Sequence, residues 1–128
     1  MNNSKYIEWI LRIAVAGEFF GHGMLAVGGK ADWIKWIGQM TGTDPSTAGQ
    51  LIFLIGIFDV FVAFLFLVYP VRIVILWATF WGFWTALVRP LVGVGWLDFI
   101  ERWANWGAPL ALLFMYGWPQ EMRDWLKK

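Results

Sequence analysis

The chain reads as an all-α membrane protein: a four-transmembrane-helix bundle with a short interfacial amphipathic helix between spans one and two. Three observations predict this. Hydrophobic residues make up 59% of the 128 positions and charged residues only 15%, whereas a soluble domain carries about 25% charged residues. Four apolar segments, 6–27, 46–69, 71–88 and 98–118, approach or exceed the roughly 20 helical residues needed to cross about 30 Å of hydrocarbon. The eleven tryptophans suit a chain with two membrane–water interfaces. The segments are too long for strands and lack the alternation of a membrane barrel.

Each element has a local cause. Gly28-Gly29 ends the first span, because glycine is the common residue just past a helix C-terminus. The stretch 31–40 places Trp33, Ile34, Trp36, Ile37 and Met40 on one side at helical spacing, which predicts an amphipathic helix. It either lies in the interface or folds onto the mouth of the bundle. Asp44-Pro45 starts the second span with a carboxylate cap and a proline at the first helical position. Pro70 stops it, so spans two and three should form a tight hairpin. Arg89-Pro90 should end the third span. Asp98 and Glu101 have capping-box spacing at the start of the fourth, and Pro109 predicts a kink within it.

Composition also excludes. With a net charge of +1 and no basic face, nucleic acid is not an expected partner. The absence of cysteine removes disulfides, thiol chemistry and iron–sulfur clusters. The first apolar segment carries Arg12 and Glu18 and lacks a clean small-residue cleavage site, so it is expected as a retained span, not a secretory signal. With four spans, Lys5, Arg72, Arg123, Lys127 and Lys128 share the side of both termini, while Lys30, Lys35, Arg89 and Arg102 lie opposite. The positive-inside rule then puts the termini in the cytoplasm.

The informative stretch is Arg12 to His22. An ionisable group at membrane depth marks a functional site by default. At roughly 100° per residue, Glu8, Arg12, Glu18 and His22 share an arc of roughly 120°. Ile10, Ile13, Gly17, Phe20 and Met24 occupy the opposite arc. Glu18 and His22 are four apart and can meet, as can Glu8 and Arg12. The second span adds Asp59 near its middle, where a carboxylate needs a partner; Arg12 and His22 are the candidates. Arg89 closes the third span, whose Trp77, Phe80, Trp81, Phe83 and Trp84 either pack or wall a flat ligand. Two readings of the polar set stay open: a binding or redox-related cavity, or buried ion pairs that fix helix register. A third reading is a metal site on Glu18, His22 and Asp59, for which one histidine and no fixed ligand spacing are a weak signal.

Arg12 followed by Phe20-Gly21-His22-Gly23, the acidic Asp59 in span two, the short second hairpin and the Arg102 and Asn105 start of span four together resemble the DoxX-like family of small four-helix membrane proteins. Lys30 resembles the family's lysine after His-Gly, displaced by several residues. The resemblance implies one transmembrane domain in a bacterial inner membrane. The lipid bilayer is its first partner. A membrane-protein partner or a second copy of the chain is also implied. The family name comes from a membrane subunit linked to thiosulfate:quinone oxidoreduction, so a quinone or other small hydrophobic ligand is the implied cofactor, held near Arg12, Glu18, His22, Asp59 and Arg89. In that reading the chain is at most a membrane subunit of a quinone-linked oxidoreductase. The alternative is a structural or assembly subunit with no ligand of its own. A proton- or ion-coupled transporter ranks last, because span three offers little polarity.

Overall fold

A computed structural model describes residues 2–128 as helices and connecting turns, with no strand among them. Helix α1 spans Asn3–Val27 and α2 spans Ala31–Thr41. The long α3 covers Pro45–Val68 and α4 covers Arg72–Leu91. Two shorter helices follow, α5 at Trp96–Ile100 and α6 at Ala104–Tyr116, and a 3-10 turn at Met122–Leu126 closes the chain. Three helices, α1, α3 and α4, are long and apolar enough to cross a membrane.

Several boundaries follow the expected chemistry. The Asn2 side chain accepts from Lys5 N at 3.0 Å and starts α1, and Gly28 caps its end. Asp44 accepts from Thr47 N at 2.8 Å ahead of Pro45. Hydrogen bonds from Thr47, through its hydroxyl and then its backbone N–H, hold the Asp44 carboxyl below the usual carboxylate range. Pro70 follows α3 directly.

Others differ. Pro90 does not end α4, which runs on to Leu91; at the last turn the proline removes only one hydrogen bond. The fourth apolar segment is broken, not kinked at Pro109. Turns at 101–103 separate α5 from α6, and α6 continues through Pro109 to Tyr116. Asp98 does not cap a long helix: α5 begins earlier, at Trp96, after Gly95 in a left-handed backbone conformation. At 1.5 Å per residue α6 alone is only about 20 Å long. The expected hairpin of spans two and three also opens. Although only Tyr69 to Val71 join them, α3 packs mainly on α1 and α4 mainly on α6.

The bundle is thus two helix pairs built on similar devices. In the first, Gly23 and Gly56 face each other: a Cβ on Gly56 would lie 2.7 Å from both Gly23 O and Val27 N. In the second, a Cβ on Gly82 would collide with the Asn105 carbonyl. Glycine here lets two backbones approach as small residues do at membrane helix crossings. In each pair an arginine of one helix binds the C-terminal carbonyls of the other. Arg12 donates to Phe66 O at 2.8 Å and Leu67 O at 2.6 Å. Arg72 donates to Gly117 O at 2.8 Å and to Tyr116 O. Those carbonyls lack intrahelical donors and carry the negative end of the helix dipole.

The pairs join near the termini. Val15 and Phe19 of α1, Val62 and Phe66 of α3, Ile75 and Ala78 of α4, and Leu112 and Leu113 of α6 form one buried core. Toward the other end α4 leaves α3, and the space between them is roofed by α2, which packs on α3. Ile10, Ile13, Phe20 and Met24 on α1, and Leu54, Ile57, Phe61 and Phe64 on α3, remain exposed. Those apolar faces suit contact with a lipid bilayer.

Candidate ligand cavity between the helix pairs

The charged arc of α1 divides along the helix axis. At the terminal end, Glu8 accepts from Arg12 Nη1 at 3.3 Å, from the Tyr116 hydroxyl at 2.7 Å and from Lys5 Nζ at 3.2 Å. Lys128 Nζ is 3.4 Å away. The Arg12 guanidinium also stacks 4.0 Å from the Trp9 ring centre. Every strong donor here has an acceptor, and the expected Glu8–Arg12 pair is formed. Sequence reasoning missed Tyr116 and Lys128. No local signal marks a contact across 108 residues.

Arg12 is therefore not the partner of Asp59. The seven residues from Asp59 to Phe66, the level at which Arg12 binds, put the two groups about 10 Å apart along α3. Asp59 is 3% exposed. Its Oδ1 has no hydrogen-bond partner; the Trp81 indole approaches the carboxylate. Glu18, half-buried on α1, faces Asp59 as a like charge, and Glu18 and His22 do not pair. Among the described residues neither Arg12 nor His22 forms an ion pair or hydrogen bond with Asp59.

Asp59 and His22 instead line a partly open cavity of about 280 Å³ bordered by α1, α2, α3 and α4. Four indoles stand in its walls, Trp33 and Trp36 from α2 and Trp81 and Trp84 from α4, among aliphatic side chains such as Ile52, Ile55 and Val88. His22 meets the Trp33 ring edge-on at 5.5 Å between centres. The α2 face expected to be apolar is thus turned onto the bundle mouth. The aromatics of α4 divide in the same way, with Trp77 and Phe80 lining a second, outer groove against α3.

Arg89 lines the cavity as well, toward the far end of α4. It is 6% exposed and forms no ion pair among the described residues. Nη1 donates to Thr85 O of its own helix at 2.6 Å, and the guanidinium lies 5.3 Å from the Trp36 ring centre. The acidic residues that could neutralise it are occupied: Arg102 is 3.7 Å from Asp98 and 2.6 Å from Glu101.

Of the five residues expected at a site, the structure brings His22, Asp59 and Arg89 to one cavity, sets Glu18 beside Asp59, and puts Arg12 in a separate network. Among the described residues no three His, Cys, Asp or Glu side chains converge in a group that could hold a metal ion. What remains can bind a small molecule: ring faces for a flat apolar body, and polar groups at both ends. Compared with known protein families, curated proteins and solved structures, the chain has no match.

Proposed function

We propose that the chain is an integral membrane protein of the DoxX-like kind whose cavity holds a small, membrane-soluble ligand. The observation that carries this is the pair Asp59 and Arg89. Both are buried, neither has a counter-ion, and both line one tryptophan-walled cavity. Charges retained as structural glue are paired; charges without partners at membrane depth belong to a ligand path. A quinone is the ligand class that the DoxX resemblance implies, and the indole walls fit a flat ring. His22 would donate to a quinone carbonyl and Asp59 would accept from a hydroxyl of the reduced quinol, while the tryptophans exclude water. The bound quinone would supply two-electron redox capacity to a partner oxidoreductase.

In this reading the protein crosses a bacterial inner membrane four times. Helices α5 and α6 together run antiparallel to the length of α4, from the neighbourhood of Arg89 to Arg72. Both chain ends meet at Glu8, as an even number of crossings requires. Exposed Trp9 and Trp118 near that end, and Trp96 and Trp103 near the other, would form the two aromatic belts. The termini face the cytoplasm, and α2 lies in the opposite interface.

Tryptophan fluorescence of the purified protein in detergent tests the binding reading. A short-chain ubiquinone analogue is expected to quench it saturably. His22→Leu should weaken binding about tenfold, the equivalent of ~1.4 kcal/mol, and Tyr116→Phe should leave it unchanged. Quenching that does not saturate, or that responds equally to both substitutions, removes the case for a quinone at this cavity. The assembly-subunit reading predicts that the aromatic faces of 31–40 and α4 matter more than the polar stripe. Trp33, Trp36, Trp81 and Trp84 line the cavity, whereas Phe80 and Phe83 stay exposed.

A further inference from the structure

The two ends of the cavity differ in chemistry, a guanidinium at one and a carboxyl group at the other, and that restricts what fills it. This inference rests on the reading of the cavity as a ligand site, and not on the ligand being a quinone. Arg89 has one hydrogen bond, to its own helix. It cannot reach out to lipid headgroups, because it is 6% exposed beneath Trp36 and the α2 roof. Its neighbouring acids are held by Arg102. A guanidinium so enclosed is matched by an oxyanion, which it binds with two parallel donors. Asp59 at the other end has one oxygen, Oδ1, that accepts from no donor, while the Trp81 indole approaches the carboxyl group. The eight residues of α4 between Trp81, beside Asp59, and Arg89 set these groups about 12 Å apart along the helix. Indoles fill the interval.

We propose that the cavity takes amphipathic hydroxy acids: molecules with a carboxylate at one end for Arg89, a hydroxyl donor at the other for Asp59, and an apolar body lying between the tryptophans. A quinone has no such charge, so the arginine end discriminates among membrane-soluble ligands. The bound acid would neutralise the one and satisfy the other in a single event, so occupancy stabilises the fold by an amount that rises with the logarithm of ligand concentration above Kd.

The test uses the full chain in a neutral detergent. The probes are decanoic acid with a hydroxyl on its terminal carbon, decanoic acid and 1-decanol, and the readouts are the shift in thermal unfolding midpoint and fluorescence titration. The hydroxy acid is expected to bind more tightly than the plain acid, and both acids more tightly than the alcohol by roughly tenfold or more. Arg89→Gln should erase the preference for acid over alcohol, and Arg89→Lys should restore part of it. Asp59→Asn should reduce the preference for the hydroxy acid over the plain acid. Because the ranking of the three probes is read on the unaltered protein, it stands even where a variant fails to fold. Equal binding of acid and alcohol overturns the proposal while leaving a ligand cavity in place. Displacement of the acid by phosphatidylglycerol, in a manner that Arg89→Gln also abolishes, overturns it in favour of a lipid headgroup. If neither these probes nor the ubiquinone analogue binds, the cavity reading itself fails.

Discussion

Glu8 and Asp59 are both carboxylates buried in apolar helices, yet their surroundings have little in common. Glu8 receives Tyr116, Arg12 and Lys5, with Lys128 close by. Asp59 has the Trp81 indole approaching, an orphaned oxygen, and Glu18 as a like-charged neighbour. Arg12 and Arg89 repeat the contrast. The first makes two hydrogen bonds to α3 carbonyls and one to Glu8. The second has a carbonyl of its own helix and a tryptophan face. The terminal end of the bundle thus uses charge to join helices, and the cavity end holds charge in reserve. The lesson is that burial of an ionisable group does not by itself mark a site; burial without a partner does.

Substitutions sharpen that contrast because they should act with opposite sign at the two ends. The largest effect is expected from Arg12→Ala, which strands Glu8 and two α3 carbonyls. Breaking a buried pair in this way costs roughly 3–5 kcal/mol, read as a fall in thermal unfolding midpoint in detergent. Gly56→Ala should follow at roughly 1–3 kcal/mol, since its new methyl would sit against the backbone of Gly23 and Val27. Tyr116→Phe removes a hydrogen bond to a charged acceptor and should lower stability by about 1.5 kcal/mol. Asp59→Leu should instead raise the midpoint, by about 1 kcal/mol, because it deletes an unsatisfied polar group from an apolar wall. A midpoint that falls as far as it does for Arg12→Ala would erase the distinction between the ends. The smallest effect belongs to Asp44→Ala at the start of α3. The hydrogen bonds from Thr47 depress that carboxyl, so its stabilisation is fully present above the ordinary carboxylate range and fades as pH falls through it. The difference in midpoint between Asp44→Ala and the unaltered protein should therefore shrink on acidification.

Much of the fold was legible because local chemistry encodes it. The Asp44-Pro45 start, the Gly28 cap and the division of α1 into charged and apolar arcs all rest on residues within one or two turns of each other. The partners of that charged arc were not legible. Arg12 binds the backbone oxygens of Phe66 and Leu67, and a carbonyl leaves no trace in sequence. The expectation that Arg12 would neutralise Asp59 failed for a related reason: wheel position places residues around an axis, whereas pairing also needs the same height. His22 does lie at the level of Asp59, since Gly23 packs on Gly56 and Val60, and it lines the same cavity without pairing to it. The aromatic residues of α4 posed the opposite difficulty. Their period showed a helix, but only the divergence of α4 from α3 decides that Trp81 and Trp84 face a cavity and Trp77 and Phe80 an outer groove. Position 101–103 broke a segment that hydropathy reads as continuous.

The facing glycines of α1 and α3 also bear on how this chain can change over generations. Gly23 and Gly56 leave no room for a side chain on either helix, so the first helix pair is nearly frozen against substitution at its crossing. The four tryptophans around the cavity stand on α2 and α4, neither of which belongs to that pair. Mutations there can reshape the chamber while the α1–α3 crossing keeps its register. A lineage carrying this architecture is free to reshape the cavity by altering a wall, with the foundation left untouched.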